Sequence, residues 1–167
     1  MAQPPHSSLD AFDLAILDLM QQDNTLSQRE IARIVNLSAP AIQRRVQRLR
    51  DSGVIQAEVA VLNADRVGRP LTMTVAVRVH DEHPQRTEGL RKRIIAEAAV
   101  QQCYVITGED DFLLIITSAS MAEFEAITRR LFEGDDNVKR FQTSVAMKWL
   151  KLGLHVPLPG QASVPSA

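Results

Sequence analysis

A single cysteine, Cys103, is present in 167 residues, so an intramolecular disulfide is excluded. One thiol also cannot build a structural zinc site, which needs several nitrogen or sulfur ligands. Cys103 is read as a small buried hydrophobe. No stretch of 18 apolar residues could span a membrane, and residues 1–8 (MAQPPHSS) have neither the basic start nor the apolar run of a secretory signal. A soluble, cytoplasmic protein without membrane contact is the expectation. Phosphate-binding glycine loops and nucleophile–base constellations are missing, so no enzyme class is indicated. The histidines are scattered: His6 and His155 lie near the ends, and His80 and His83 flank a loop. None is spaced like a metal or tetrapyrrole ligand, and no cofactor is expected. Net charge is only −1, which by itself argues neither for nor against nucleic acid.

The distribution of that charge is informative. Residues 27–50 contain Arg29, Arg33, Arg44, Arg45, Arg48 and Arg50 against Glu30, a net +5, which leaves −6 for the rest of the chain. Around this basic window the chain punctuates itself as short helices. Leu9, Phe12, Ile16 and Leu19 recur at helical spacing over 9–20, with Asp10 and Asp13 where the helix dipole favours acids. Ser27 and Glu30 form a capping box for a second helix running to about Val35. Asn36 marks a sharp turn, Ser38 caps a third helix, Pro40 sits in its first turn, and Gly53 ends it. Alternation over Val54–Val61 predicts a strand leading into a linker that closes at Gly68-Arg69-Pro70.

A second domain follows. Leu71, Met73, Val75, Val77 and Val79 line one strand face, and Leu90, Ile94 and Ala98 mark a helix over about 84–98. Gln101–Thr107 and Phe112–Thr117 form a hairpin around Gly108-Glu109-Asp110-Asp111. Ser120 and Glu123 cap another helix, striped by Phe124, Ile127 and Leu131. Phe141, Thr143, Val145, Met147 and Trp149 alternate on a last strand. The order β-α-β-β-α-β predicts a ferredoxin-like antiparallel sheet with both helices on one face. The fold class is therefore α+β: a helix-turn-helix, winged-helix-like domain over 9–54, a strand and linker over 55–70, and a ferredoxin-like domain over 71–155. Disordered tails are expected at 1–8 and 156–167.

Two short helices with basic charge on the second suit major-groove reading, in which phosphate contacts aim a narrow rod whose side chains reach base edges. Projected at the helical period, Ile42, Val46, Leu49 and Gly53 face inward. Pro40, Arg44 and Gln47 then point outward, and Ser38 and Ala39 occupy the leading end. Arg44 is the first candidate for a base contact, because arginine pairs two donors with guanine O6 and N7. Arg29, Arg33, Arg45 and Arg48 are assigned to phosphates, and Gln43 and Gln47 stand between base contact and solvent.

Leu9-Asp10-x-x-Asp13-x-x-Ile16-Leu17, followed by Leu37-Ser38-x-x-x-Ile42-x-x-Arg45-Val46-x-x-Leu49-x-x-x-Gly53-x-Ile55, closely resembles the DNA-binding half of Lrp/AsnC regulators. Cys103-Tyr104-x-x-Thr107-Gly108-x-x-Asp111-Phe112-Leu113-Leu114 resembles the hairpin of that family's sensing half, and Val138-x-x-x-x-Thr143 its final strand. The resemblance implies a RAM domain that pairs into dimers, assembles up to an octamer, and binds an amino acid or related metabolite near the hairpin. A palindromic double-stranded DNA operator would match such a dimer through paired reading helices. Carried over by position, the effector-site residues are Gly108, Asp111 and Thr143, then Tyr104 and Glu109. Asp110, where the family often has an aromatic residue, and Ala98-Ala99-Val100 depart from its pattern. The chemistry of residues 108–111 is compatible with this role, since Gly108 permits close backbone approach and Glu109 or Asp111 could meet an ammonium group. The same four residues also make a plain hairpin turn. Siroheme decarboxylases resemble the same two-domain architecture, but their polycarboxylate substrate calls for basic or histidine-lined pockets. A low-specificity nucleoid protein is the other alternative.

Overall fold

The computed structural model describes residues 9–159. The N-terminal tail and residues 160–167 fall outside them, and with them most of the expected disorder. Two compact units are present: residues up to Ala60 together with those from Leu152 onward, and Val61–Lys151.

The first unit has three helices, α1 (Ala11–Gln22), α2 (Gln28–Val35) and α3 (Ala39–Asp51). Each start is chemically specified. Asp10 and Asp13 cap α1 reciprocally, Ser27 and Glu30 do the same for α2, and the Ser38 hydroxyl accepts from the Ala41 N–H. Asn36 adopts the left-handed conformation (φ 58°) that turns the chain between α2 and α3. Ile16, Ile31, Ala32, Val35, Ile42 and Val46 form the core, with Leu19 and Ile55 packed against it. A side chain of this type stabilises by about 1.5–3 kcal/mol when fully buried.

The strand expected over Val54–Val61 is absent from the described residues. Alternation is there, but among the described residues no neighbouring strand supplies hydrogen bonds, so no strand forms and Val59 and Val61 are 74% and 91% exposed. Ile55 is secured through its backbone, its N–H donating to the Leu49 carbonyl at 3.0 Å. The tail assigned to disorder from Val156 is held at its first residue: Val156 N–H donates to Gln21 Oε1 at 2.8 Å, and its carbonyl accepts from Gln21 Nε2 at 3.1 Å.

The second unit runs β1 (Leu71–Val79), α4 (Pro84–Ala96), β2 (Val100–Val105), β3 (Phe112–Ser118), α5 (Met121–Phe132) and β4 (Val138–Val145). The strands order as β2-β3-β1-β4, all neighbours antiparallel, which is the expected ferredoxin-like arrangement. Met73, Val75, Val77 and Val79 meet Leu90 and Ile94 of α4 and Phe124, Ile127 and Leu131 of α5 on one face. The opposite face carries no helix. α4 ends at Ala96 rather than near residue 98, and Met147 and Trp149 lie beyond the last strand. The physical reason is pairing: Val145 opposes Met73, two residues from the start of β1, and the final bond runs from Ala146 N–H to the Thr72 carbonyl. Cys103 is exposed, contrary to expectation. It lies opposite Leu114, but on β2, a sheet edge.

Candidate DNA interface and effector site

In the first unit the capped α2, the Asn36 turn and the Pro-started α3 leave one face of α3 to solvent. Arg44, Gln43, Gln47, Ser38 and Pro40 are exposed there, with Ala39 half-buried. Gln47 Nε2 donates to Asp51 Oδ1 at 2.8 Å. Among the described residues Arg29, Arg33 and Arg44 make no salt bridge. The Ser27 hydroxyl and N–H hold the Glu30 carboxyl below the usual range, so the acid beside Arg29 is committed to capping.

Arg45 and Arg48, assigned to phosphates from the sequence, are engaged inside the domain. Asp13 of α1 is 0% exposed. It accepts from Arg45 Nη1 at 2.7 Å and from Arg48 Nη2 at 2.5 Å. The same Arg45 nitrogen reaches Asp10 Oδ2 at 2.7 Å, and its guanidinium lies 5.5 Å from the Phe12 ring centroid. The Asp13 backbone N–H and then Arg45 lower the Asp10 pKa, while Asp10 and Asp13 raise that of Arg45. A buried carboxylate thus fixes the rotation of α3 through two of its arginines. Arg50 reaches Glu58 at 2.8 Å.

In the second unit the hairpin tip between β2 and β3 gathers Gly108, Glu109 and Asp111. Gly108 has φ 130°, and a Cβ there would meet nothing within 4 Å. Asp111 is a staple: its N–H donates to the Val77 carbonyl at 2.9 Å, its carbonyl accepts from Ile106, and its Oδ2 accepts from the Val79 N–H at 2.7 Å. Glu109 Oε1 accepts from Arg140 Nη2 at 2.6 Å and lies 3.9 Å from Arg78 Nη1, with Asp110 Oδ1 3.4 Å from Arg140. Arg78 and Arg140 went unrecognised in the sequence. The available signal was one cation in each of two otherwise sheet-forming runs, but their adjacency depends on register.

Tyr104 and Thr143 do not join this tip within one chain. They lie on β2 and β4, opposite edges of the sheet, three strand spacings or roughly 14 Å apart. They also face opposite sides, because Thr143 is opposite Val75 of the helix-covered face whereas Tyr104 is opposite Leu113. The Tyr104 hydroxyl donates to Gln102 Oε1 at 2.9 Å. Among the described residues no group of His, Cys, Asp and Glu is placed to hold a metal, and no helix is long and apolar enough to cross a membrane.

Family models match both units: "Winged helix-turn-helix DNA-binding" over residues 9–56 and "Lrp/AsnC ligand binding domain" over 72–154. An uncharacterized HTH-type transcriptional regulator of Sinorhizobium fredii is 39% identical over 150 residues, covering 90% of this chain and 89% of its own. A leucine-responsive regulatory protein of Rhizobium meliloti is 29% identical over 143 residues, 86% of this chain and 92% of its own. Among solved structures, a transcriptional regulator of Neisseria meningitidis in complex with L-Met superposes with a TM-score of 0.82 at 26% identity, covering 91% of this chain and 98% of that one.

Proposed function

The chain belongs to the Lrp/AsnC family of transcriptional regulators, and we propose that it reads a palindromic operator in the cytoplasm as at least a dimer, modulated by an amino acid or related metabolite. The observation that carries the DNA reading is the exposed row of Gln43, Arg44 and Gln47 on α3, whose inner arginines are committed to Asp13. Arg44 takes the base contact, and Arg29 and Arg33 take phosphates. Arg45 and Arg48 act by positioning the helix. Nothing in this role requires a catalytic step.

Self-association is supported by the uncovered sheet face, where Ala76, Leu113 and Ile115 are only half-buried. Two copies would also present paired reading helices to a two-fold operator. Tyr104 and Thr143, separated within one chain, enter one pocket only if it is completed between copies. The similarity to a regulator in complex with L-Met supports an amino-acid effector.

The test is footprinting of bound genomic fragments with and without amino acids, followed by Arg44→Ala. That variant is expected to lose about 1–3 kcal/mol on operator DNA and little on bulk DNA. Parental operator affinity in Arg44→Ala would remove the residue from base reading. Equal affinity of the parent for operator and bulk DNA would favour the nucleoid alternative.

A further inference from the structure

Resting on the effector reading above, we propose that Arg78 and Arg140 are the carboxylate receptor of the effector site, and that Glu109 is a tethered carboxylate which an incoming amino acid displaces. The β1–β4 register sets Arg78 opposite Arg140. Both alternate with Val77, Val79 and Phe141 of the helix-covered side and so stand on the uncovered face. Like charges directly opposite one another destabilise a sheet, and an anion between them relieves the repulsion. Glu109 supplies it with a single oxygen, 2.6 Å from Arg140 and 3.9 Å from Arg78.

That anion is easily replaced. Glu109 is 72% exposed and follows Gly108 at an unobstructed turn. An ion pair so exposed is screened by solvent and holds weakly. Guanidinium forks donate to any carboxylate in the same planar geometry. Asp111 cannot serve as the displaced group, because its carboxylate is bound to the Val79 N–H.

The charge balance of the exchange selects the ligand. When a ligand carboxylate takes the two arginines, Glu109 is released beside Asp110, and an α-ammonium group on the same ligand meets both. A plain carboxylic acid would leave Glu109 unpaired next to a new anion. A plain amine would have to draw Glu109 away and leave two guanidiniums opposed. Only a zwitterion conserves every pairing.

The experiment is calorimetry of the full-length protein with each standard amino acid and, for every one that binds, its deaminated acid and decarboxylated amine. The amino acid is expected to bind the parent about tenfold or more tightly than either analogue, and Arg140→Gln to weaken it by about as much. Operator affinity and the circular dichroism spectrum should be unchanged in Arg140→Gln, with Arg78→Gln as the second variant. Glu109→Gln should tighten the deaminated acid relative to the parent, because the internal competitor is gone. Parental affinity in both arginine variants would overturn the receptor while leaving the effector reading in place. An unaltered ratio of amino acid to deaminated acid in Glu109→Gln would overturn the exchange. A parent that binds no amino acid would remove the effector reading itself, and this proposal with it.

Discussion

Replacing arginines of α2 and α3 one at a time and measuring the salt dependence of operator binding separates helix positioning from phosphate contact. Each phosphate contact releases counterions and contributes about 0.9 to the slope of log K against log salt. Over a fourfold rise from 50 to 200 mM, one contact therefore changes affinity by roughly 3.5-fold. Arg29→Ala should lose that increment, so its deficit relative to the parent shrinks roughly 3.5-fold across the range. Arg45 and Arg48 differ because Asp13 and Asp10 already neutralise them, at 2.5 Å from Arg48 and 2.7 Å from Arg45. Bound to these carboxylates, neither guanidinium is free to displace counterions from a phosphate. Arg45→Ala and Arg48→Ala should leave the slope unchanged and lower affinity by a constant factor at every salt concentration. Folding stability falls as well, by about 2 kcal/mol for Arg45→Ala, whose charge-assisted bonds are partly discounted by solvent. Fluorescence anisotropy on a labelled operator gives the slopes, and urea titration gives the stabilities. A slope reduced by about one in Arg45→Ala or Arg48→Ala would refute the positioning role and return these arginines to the phosphates.

Asp111→Ala leaves the buried Val79 N–H without its 2.7 Å partner and should cost about 1–3 kcal/mol in urea unfolding, whereas Asp111→Asn retains an acceptor oxygen and should cost less than about 1 kcal/mol; equal losses would show that the staple is not the operative contact. Asp10, Glu30 and Glu123 have folded pKa values lowered, respectively by the Asp13 N–H, by Ser27 and by the Ala119 N–H, ahead of the Arg45 and Arg69 contributions. Their stabilisation is present above the ordinary carboxylate range and disappears as pH falls through the depressed values, so unfolding midpoints should hold near neutrality and drop below about pH 4. Midpoints that begin to fall only as pH rises above neutrality would contradict this sign. Sedimentation should give at least a dimer at micromolar concentration, and a species of only 18.6 kDa would remove the paired-helix reading.

Features that depend on near neighbours along the chain are legible in the residues themselves. Capping at Ser27 and Ser38 and the left-handed turn at Asn36 arise within four residues of backbone, and periodicity identifies the inner face of Ile42, Val46 and Leu49 for the same reason. Alternation over Leu71–Val79, the glycine turn at 108 and the order of elements were enough for the ferredoxin-like class. Tertiary structure decided whatever depends on which strand or helix lies alongside. Val54–Val61 carries strand periodicity but has no neighbour to pair with among the described residues, and pairing of β4 ends at Val145, two residues from the start of β1. The pairing of Arg45 and Arg48 with Asp13, some 30 residues earlier, exists only once α1 is folded against α3. Glu109 and Asp111 look equivalent in the chain, yet one is a backbone staple and the other bridges Arg78 and Arg140. Cysteine is a residue type usually buried, but at Cys103 position at a sheet edge overrides side-chain preference. Local signals act over one turn or one pleat, whereas the partners of a charge are set by register and packing between segments far apart in the chain.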